Sequence, residues 1–558
     1  MPIPKKEEIG SFNALIEEAV KNYWDLASIS DYKDKTLYYK DVARKIEKLH
    51  ILFEETGVKH GDKIAICGRN SANWAVVFFA TLTYGAVVVP LLHEFTMEQI
   101  HNCVNHSDAK LLFVGDYVKT IITPKEMPHL EGILNIPDFS LLESRSEHLT
   151  YARKNLNALF GKKYPERFTK GDIHYYKEQD ADELAMINYT SGTTGHSKGV
   201  MLPYRALWSN LDFANNVMHG VVRPELQSIS MLPMAHMYGM AFELIFEFCN
   251  GVHINCLTRV PSPAIITKAL SEVKPFLIVS VPLILEKIIR KRVFPSLQTP
   301  RMKILMNTPA VRLKVREKIC QKLRESLGGA FYEIIIGGAA MNKEVEDFLH
   351  QIDFPFTVGY GATECAPIIC YADWKETPSG SCGKVVRNME LRIDSAKPRK
   401  VPGEILVRGL NVMMGYYKNE EETKRVFTDD GWLRTGDLGV IDNEGNIFIK
   451  GRCKNMLLGA NGQNIYPEEI EDKLSSLPFV TECVVVQRDE KLIALVYPDY
   501  DEAANDGLDR SDLQVVMDEN LVTLNEQMPA YSKVTKIELR DEEFEKTAKK
   551  SIRRFLYH

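Results

Sequence analysis

Residues 189–200 read Tyr189-Thr190-Ser191-Gly192-Thr193-Thr194-Gly195-His196-Ser197-Lys198-Gly199-Val200. Glycines let the backbone turn so that its N–H groups converge on an anion, and the serine and threonine hydroxyls add further donors. Lys198 adds a positive charge. The stretch therefore predicts a phosphate-binding loop. It is not a Walker A loop, because the pattern GxxxxGK[ST] does not occur in the chain.

Around this loop, short runs typical of strands alternate with helical patterns. The strand-like runs are 63–67, 86–90, 110–114, 276–281, 333–336 and 356–358, and the helix-like runs between them include 96–106, 264–273 and 343–351. This alternation predicts an α/β fold in which a large N-terminal domain contains parallel sheets. From about Pro378, strands are joined by turn signals instead, which predicts a β-rich, more antiparallel subdomain that closes the large domain.

A chain of 558 residues is too long for one simple domain. We predict an N-terminal domain at 1–452 and a small C-terminal α/β domain at 453–558. The elements predicted in the small domain are a helix at 466–477, strands at 480–488 and 492–497, a polar stretch at 499–509, a helix at 513–527, a strand at 533–539 and a basic tail.

Composition restricts the classes of partner. The net charge of −6 and the pI of about 6.2 do not fit a nucleic-acid-binding protein, whose surface is usually basic. Ten cysteines occur without a CxxC pair, which favours reduced thiols in a cytoplasmic protein over a zinc site. No secretory signal and no run of about 18 apolar residues is visible, so we expect any membrane contact to be peripheral. Oligomeric state is not predicted.

The phosphate-binding stretch resembles the signature of the adenylate-forming (ANL) superfamily, which includes acyl-CoA synthetases, adenylation domains of peptide synthetases and firefly-type luciferases. Ser197 stands where that family usually has a proline. The resemblance implies that Lys198 and Thr194 take part in catalysis and that Thr194 lies beside a Mg²⁺ ion. It implies that the loop binds nucleotide through Thr190, Ser191, Gly192, Thr193 and Gly195.

Two further stretches resemble the family's motifs on the other side of the nucleotide. Gly359-Tyr360-Gly361-Ala362-Thr363-Glu364 is similar to YGxTE. The resemblance implies that Tyr360 lies against adenine, Gly361 lies beside the nucleotide, Thr363 contacts the α-phosphate region and Glu364 helps to bind Mg²⁺. An aromatic face suits a base, and a carboxylate suits Mg²⁺. Gly337-Gly338-Ala339-Ala340-Met341 resembles the segment where Gly338 and Ala339 line the adenine and acyl pockets.

The remaining motifs follow in the family's order. Arg434-Thr435-Gly436-Asp437-Leu438 resembles RTGDL, which implies that Asp437 accepts hydrogen bonds from the ribose hydroxyls. Arg452 would reach ribose or phosphate, and Lys454 would occupy the hinge about which the small domain rotates. His236 matches a segment that lines the acyl site in relatives.

Within the superfamily, several stretches resemble long-chain fatty acid–CoA ligases in particular. They are Val281-Pro282, Glu286-Lys287-Ile288, Gly415-Tyr416-Tyr417 and residues 461–471. A polar or aromatic acid stays open. The expected reaction forms acyl-AMP from ATP and a fatty acid and then transfers the acyl group to coenzyme A, with Mg²⁺ as cofactor. The alternatives are an acyl-AMP ligase that loads a carrier protein, and a nucleotide-binding homologue with reduced catalysis.

The tail departs from the family pattern. Relatives carry a catalytic lysine in a motif like KTxxxKI, and here Ser551 occupies its position after Lys546-Thr547. Lys550 could serve after a shift of one residue, Lys549 could serve instead, or adenylation could be weakened. A solvated tail without a catalytic role is the fourth interpretation.

Overall fold

A computed structural model describes residue 4 and residues 8–190, 197–258, 263–458, 463–488, 491–529, 532–547 and 552–557. Its largest sheet has eight strands, and the strands in spatial order are Gly415–Tyr416, Lys198–Pro203, Leu184–Thr190, Val87–Leu91, Lys63–Cys67, Ala109–Val114, Gly132–Asn135 and Leu141–Ser144. The five strands from Leu184–Thr190 to Gly132–Asn135 are parallel, and the outer three pair antiparallel. The predicted α/β fold with parallel sheet is confirmed.

The central strand Val87–Leu91 is buried along its whole length, as expected for a strand with both faces covered. It contains Pro90, which has no N–H to donate. On one side, Pro90 pairs in register with Ile66 of the strand Lys63–Cys67. On the other side, the strand Leu184–Thr190 pairs with the central strand only at Val88 and Met186. The sheet thus accommodates the proline by shortening one ladder.

Further strands surround this sheet. One sheet joins Gln227–Ser230, His253–Cys256, Ala27–Asp31 and Thr36–Tyr38, a parallel sheet joins Ile278–Ser280, Ile334–Ile336 and Phe356–Val358, and a small antiparallel sheet joins Tyr360–Gly361, Ile368–Tyr371 and Lys384–Val385. The predicted antiparallel subdomain is present as Met389–Asp394, Gly403–Gly409, Leu433–Ile441 and Ile447–Arg452.

Helices cover the sheets. The α-helices before residue 453 are Phe12–Asn22, Tyr39–Thr56, Ala72–Tyr84, Met97–Ser107, Glu147–Lys163, Tyr204–Val217, Met237–Gly239, Phe246–Cys249, Pro263–Val273, Pro282–Ile288, Phe294–Leu297, Pro300–Asn307, Pro309–Ser326, Lys343–Gln351 and Glu420–Val426. Ala72–Tyr84 shows how they are delimited, because the Ser71 side chain accepts a hydrogen bond from the Trp74 amide and Gly85 ends the helix in a left-handed conformation.

The C-terminal part has its own core. The strands Val480–Arg488, Lys491–Pro498 and Val534–Leu539 form one sheet, the helices are Pro467–Ser475, Tyr500–Asn505 and Arg510–Glu526, and a short hairpin pairs Leu457–Leu458 with Asn464–Ile465. The stretch 499–509, expected to be only polar, contains the helix Tyr500–Asn505, which the Asp499 side chain caps. The two parts touch where the Asn342 side chain donates to the Ser476 hydroxyl over 2.8 Å. The boundary at 452/453 stays a proposal.

Within the described residues, no helix is both long enough and apolar enough to cross a bilayer.

Candidate active site

A cavity of about 2080 Å³ is lined by residues of both the large and the small part of the chain. Its polar lining includes Lys198, Glu364, Glu422, Arg425, Arg452 and Lys454, and its apolar lining includes Phe213, Val217, Met237, Phe242, Phe246 and Leu257. A single space thus offers charged groups suited to a nucleotide together with a wall suited to an apolar chain.

The ends of the phosphate-binding stretch are held opposite each other. Leu184–Thr190 and Lys198–Pro203 pair antiparallel, with Thr190 in register with Lys198, and both residues line the cavity. The intervening candidates lie outside the described residues; they are Ser191, Gly192, Thr193, Thr194 and Gly195.

The ammonium of Lys198 is held by two partners. Its Nζ lies 2.7 Å from Oε1 of Glu422 and 5.1 Å from the centre of the Tyr416 ring. The hydrogen bond from Lys198 lowers the pKa of Glu422, so this carboxylate is held in its charged form. The Tyr416 hydroxyl donates to Oε1 of Glu364 over 2.9 Å. These contacts connect the predicted lysine to the predicted metal ligand.

The donor set near Glu364 fits Mg²⁺ bound together with a nucleotide. Among the residues that the structure describes, no group of three or more His, Cys, Asp or Glu side chains forms a ready metal site. Mg²⁺ in nucleotide-dependent enzymes commonly uses one or two carboxylates, with phosphates and waters as its other ligands. Glu364 lines the cavity and supplies such a carboxylate.

Asp437 and Arg452 are neighbours across two antiparallel strands. They are paired in register, and the Arg452 Nε lies 2.7 Å from Oδ1 of Asp437. The Tyr360 hydroxyl donates to the other carboxylate oxygen over 2.6 Å. Burial raises the pKa of Asp437, and the charge of Arg452 opposes that shift. Because Asp437 is only 5% exposed and both of its oxygens are engaged, a ribose hydroxyl would have to replace one of these partners.

The glycine-containing stretches approach the same cavity. Gly338, Ala339, Gly361 and Thr363 all line it. Gly338 has a φ of +87°, which favours glycine. A Cβ at Gly361 would lie 2.3 Å from the Pro367 carbonyl oxygen, so glycine is required there by backbone packing. That requirement exists whether or not a nucleotide is bound.

His236 lies at the cavity wall. It caps the turn Met237–Gly239, and its Nδ1 accepts a hydrogen bond from the Tyr238 amide over 3.3 Å. The Tyr238 hydroxyl donates to the Ile335 carbonyl over 2.9 Å. The position agrees with the predicted lining role.

Lys454 lies in the short turn Cys453–Asn455 that follows the last strand of the large part. Its side chain lines the cavity, and burial together with the charge of Arg452 lowers its pKa. The next residue, Asn455, donates to Glu468 in the small part over 2.6 Å. The hinge assignment of Lys454 remains a prediction.

The C-terminal tail reaches the cavity. Lys549, Lys550 and Ser551 lie outside the described residues, whereas Arg553 and Arg554 line the cavity. Arg554 forms an ion pair with Glu471 and is therefore already engaged. The four interpretations of the tail therefore remain predictions.

Sequence reasoning missed several charged residues of this cavity. Glu422, Arg425, Arg553 and Arg554 belong to none of the motifs, although all four line it. Glu422 is 224 residues away from Lys198 in the chain, and no local pattern links the two. The acidic first turn of the helix Glu420–Val426 marks only a helix start.

Comparison with known proteins agrees with this arrangement. Residues 16–417 match the family model described as AMP-binding enzyme, and residues 454–557 match the AMP-binding enzyme C-terminal domain. The long-chain-fatty-acid–CoA ligase FadD15 of Mycobacterium bovis is 27% identical over 469 residues, covering 80% of this chain and 74% of that protein. The peroxisomal long chain acyl-CoA synthetase 7 of Arabidopsis thaliana is 27% identical over 549 residues, covering 90% and 76%. The 4-coumarate–CoA ligase 5 of Oryza sativa is 29% identical over 469 residues, covering 81% and 77%.

Solved structures share the fold over nearly the whole chain. ATP-bound MatB from Rhodopseudomonas palustris superposes with a TM-score of 0.75 at 22% identity, covering 98% of each chain. The anthranilate CoA ligase AuaEII in complex with anthranoyl-AMP superposes with a TM-score of 0.76 at 19% identity, covering 100% of this chain and 97% of that one. Since the family model covers well over half of the residues, the chain belongs to the AMP-binding enzymes of the adenylate-forming superfamily.

Proposed function

We propose that this protein is an AMP-forming acid–thiol ligase that activates a long-chain fatty acid with ATP and passes the acyl group to coenzyme A. The observation that carries the proposal is the shared cavity, in which Lys198, Glu364 and Arg452 occur together with an extensive apolar wall. The names of the relatives FadD15 and long chain acyl-CoA synthetase 7 support the choice of acid.

The first step joins two anions, so the site must neutralise charge and align the reactants. Lys198 would contact the phosphates after leaving Glu422, and Arg452 would lie at the ribose or phosphate. Asp437 would bind the ribose and Tyr360 the adenine. Mg²⁺ held in part by Glu364 would supply further positive charge to the triphosphate. The carboxylate oxygen attacks the α-phosphorus, a P–O bond forms, and pyrophosphate leaves.

In the second step, the thiolate of coenzyme A attacks the acyl carbon of acyl-AMP, and AMP leaves. The incoming thiol needs different surroundings from the triphosphate, which a hinge motion of the small domain would provide. Lys454 in the turn Cys453–Asn455 is the proposed hinge, and 452/453 is the proposed domain boundary.

The apolar wall accounts for the class of acid. Phe213, Phe242 and Phe246 contribute to a surface that suits a hydrocarbon chain, because burying apolar area stabilises binding by about 25 cal/mol per Å². Acids of this kind partition into membranes, so peripheral membrane contact of a cytoplasmic enzyme is part of the proposal.

The test is a product assay with ATP, Mg²⁺, palmitate and coenzyme A, in which pyrophosphate and acyl-CoA are measured separately. We expect the wild type to form both products in equal amounts and Lys198→Ala to form neither. Lys400→Ala, which changes an exposed lysine, is the matched control. Pyrophosphate without acyl-CoA would indicate a carrier protein as acceptor. Absence of both products over a panel of acids would indicate a nucleotide-binding homologue with reduced catalysis, and would overturn the proposal.

A further inference from the structure

Residues 282–326, the basic segment, carry a charge opposite to that of the whole chain. The segment contains twelve lysines or arginines and three glutamates, whereas the net charge of the protein is −6. It folds mostly as helices, namely Pro282–Ile288, Phe294–Leu297, Pro300–Asn307 and Pro309–Ser326, with a π-helical turn at Ile289–Val293. Positive charge is therefore concentrated on one helical region of an otherwise acidic molecule.

Most of these cations are not used by the fold. Eight of them are exposed: Lys287, Lys291, Arg292, Arg301, Arg312, Lys314, Lys318 and Lys322. None of the eight forms an ion pair with a carboxylate of the described residues, while Arg290 pairs with Glu344. Clustered cations that outnumber the nearby carboxylates and form no ion pairs with them create a positive potential that attracts an anionic partner.

Large apolar side chains are exposed among these cations. Leu283 is 52% exposed, Ile304 is 68% exposed and Leu313 is 65% exposed. Ile304 and Leu313 are the two most exposed large apolar side chains among the residues that the structure describes. A nucleic acid or an acidic peptide would pair with the cations but would leave these apolar groups in water. A bilayer surface offers anionic headgroups and, just below them, acyl chains.

The basic segment begins at the wall of the cavity. Leu283 and Ile284 line the cavity, and Leu283 is also half exposed to solvent. We propose that the basic segment docks on the surface of an anionic phospholipid bilayer, with lysines and arginines at the headgroups and Ile304 and Leu313 at the acyl boundary. Uptake of a membrane-dissolved acid through this contact rests on the proposed function, whereas the docking itself does not.

Cosedimentation of the full chain with sucrose-loaded vesicles tests the docking. The vesicles contain either phosphatidylcholine alone or phosphatidylcholine with about 30% phosphatidylserine, an anionic lipid. We expect binding to the anionic vesicles that weakens with added salt, and little binding to the neutral ones. In Lys314→Glu/Lys318→Glu/Lys322→Glu, the partition coefficient should fall at least about tenfold.

Two further variants separate the effect of the segment's cations from that of net charge and from that of its apolar side chains. Lys125→Glu/Lys154→Glu/Lys170→Glu makes the same change in net charge at exposed lysines outside the segment, and should bind like the wild type. Ile304→Ser/Leu313→Ser should weaken binding while keeping its salt dependence. Unfolding midpoints of all variants should match the wild type, because the side chains are exposed.

The docking is overturned if the wild type binds neutral and anionic vesicles equally, if it binds neither, or if both lysine triples lose the same affinity. The docking is also overturned if the protein binds heparin or nucleic acid but does not bind vesicles. Pyrophosphate release with palmitate and ATP in the absence of vesicles is measured in parallel. If the wild type releases none, that result counts against the proposed function and leaves the vesicle result unaffected.

Discussion

The ammonium of Lys198 and the carboxylate of Glu422 are 2.7 Å apart, although they come from a strand of the central sheet and from the helix Glu420–Val426. Both side chains are about three-quarters buried, and Arg425 lies 3.7 Å from the same carboxylate. A triphosphate brought to this lysine would meet a carboxylate already paired with it. Glu422 would therefore compete with the substrate for the charge of Lys198.

Replacing Glu422 by Gln should strengthen the binding of MgATP. The amide keeps the size of the side chain and removes the negative charge, so the phosphates no longer displace an ion pair. Partly exposed pairs contribute up to about 1 kcal/mol, which corresponds to an affinity gain of about two- to fivefold. Titration calorimetry with a non-hydrolysable ATP analogue and Mg²⁺ measures this gain.

Glu421→Gln is the matched control, because Glu421 lies in the same helical turn, is exposed and has the same charge. It should leave the affinity unchanged. A weaker affinity in Glu422→Gln would mean that this carboxylate helps to bind the metal–nucleotide complex, and the competition would be refuted.

Asp437→Asn should weaken the binding of AMP by about 10- to 100-fold, since a hydrogen bond to a charged group contributes about 1.5–3 kcal/mol. The expected cause is loss of the carboxylate that would accept the ribose hydroxyls. Tyr360→Phe removes only the hydroxyl that donates to Asp437, and should change the affinity much less. Fluorescence or calorimetric titration with AMP compares the two variants.

Equal losses of AMP affinity in both variants would show that the affinity depends on the hydrogen bond between Tyr360 and Asp437, which would then act by positioning these side chains. Asp437→Asn removes the negative charge opposite Arg452, but the Arg452 side chain is 52% exposed and can remain hydrated. The unfolding midpoint of this variant should therefore stay close to that of the wild type.

The sequence predicted the elements that have a strong local pattern. The strand Lys63–Cys67 and the helix Lys343–Gln351 have the predicted bounds, because each combines a clear periodicity with turn or cap residues at its ends. Asn342 caps that helix with its side chain. The parallel sheet followed from the alternation of such elements.

What the sequence could not predict depends on contacts between distant residues or on competing local signals. The helix Tyr500–Asn505 was missed because its acidic residues indicated only a polar stretch, although Asp499 is a good cap. The ion pair between Lys198 and Glu422 joins separate motifs, and only the folded chain brings them together. The engagement of Asp437 by Tyr360 is equally invisible in the separate motifs.

Lys454→Pro should leave adenylation nearly unchanged and slow thioester formation by about an order of magnitude. Proline fixes φ and restricts the preceding residue Cys453, so the turn Cys453–Asn455 can no longer change its backbone conformation freely. Pyrophosphate exchange reports the first step, and single-turnover transfer from preformed acyl-AMP to coenzyme A reports the second.

Lys454→Ala is the control for the lost cation, because it keeps the backbone free. It should retain thioester formation. The hinge assignment fails if Lys454→Pro slows both steps to the same extent, or if Lys454→Ala slows the second step as much as Lys454→Pro does.

Glu333 should make the stability of the fold depend on pH around neutrality. It is fully buried before the strand Ile334–Ile336, it accepts a hydrogen bond from Tyr371, and burial raises its pKa to about 7 from 4.5. The folded state therefore keeps this proton more tightly than the unfolded state. The resulting stability is fully present below pH 4.5 and is lost as the pH rises through 7, by up to about 3 kcal/mol.

Glu333→Gln is always neutral at this position and serves as the reference. The difference between the unfolding temperatures of the wild type and of this variant, measured by scanning calorimetry, should therefore fall between pH 5 and pH 8. A constant difference would refute the assignment.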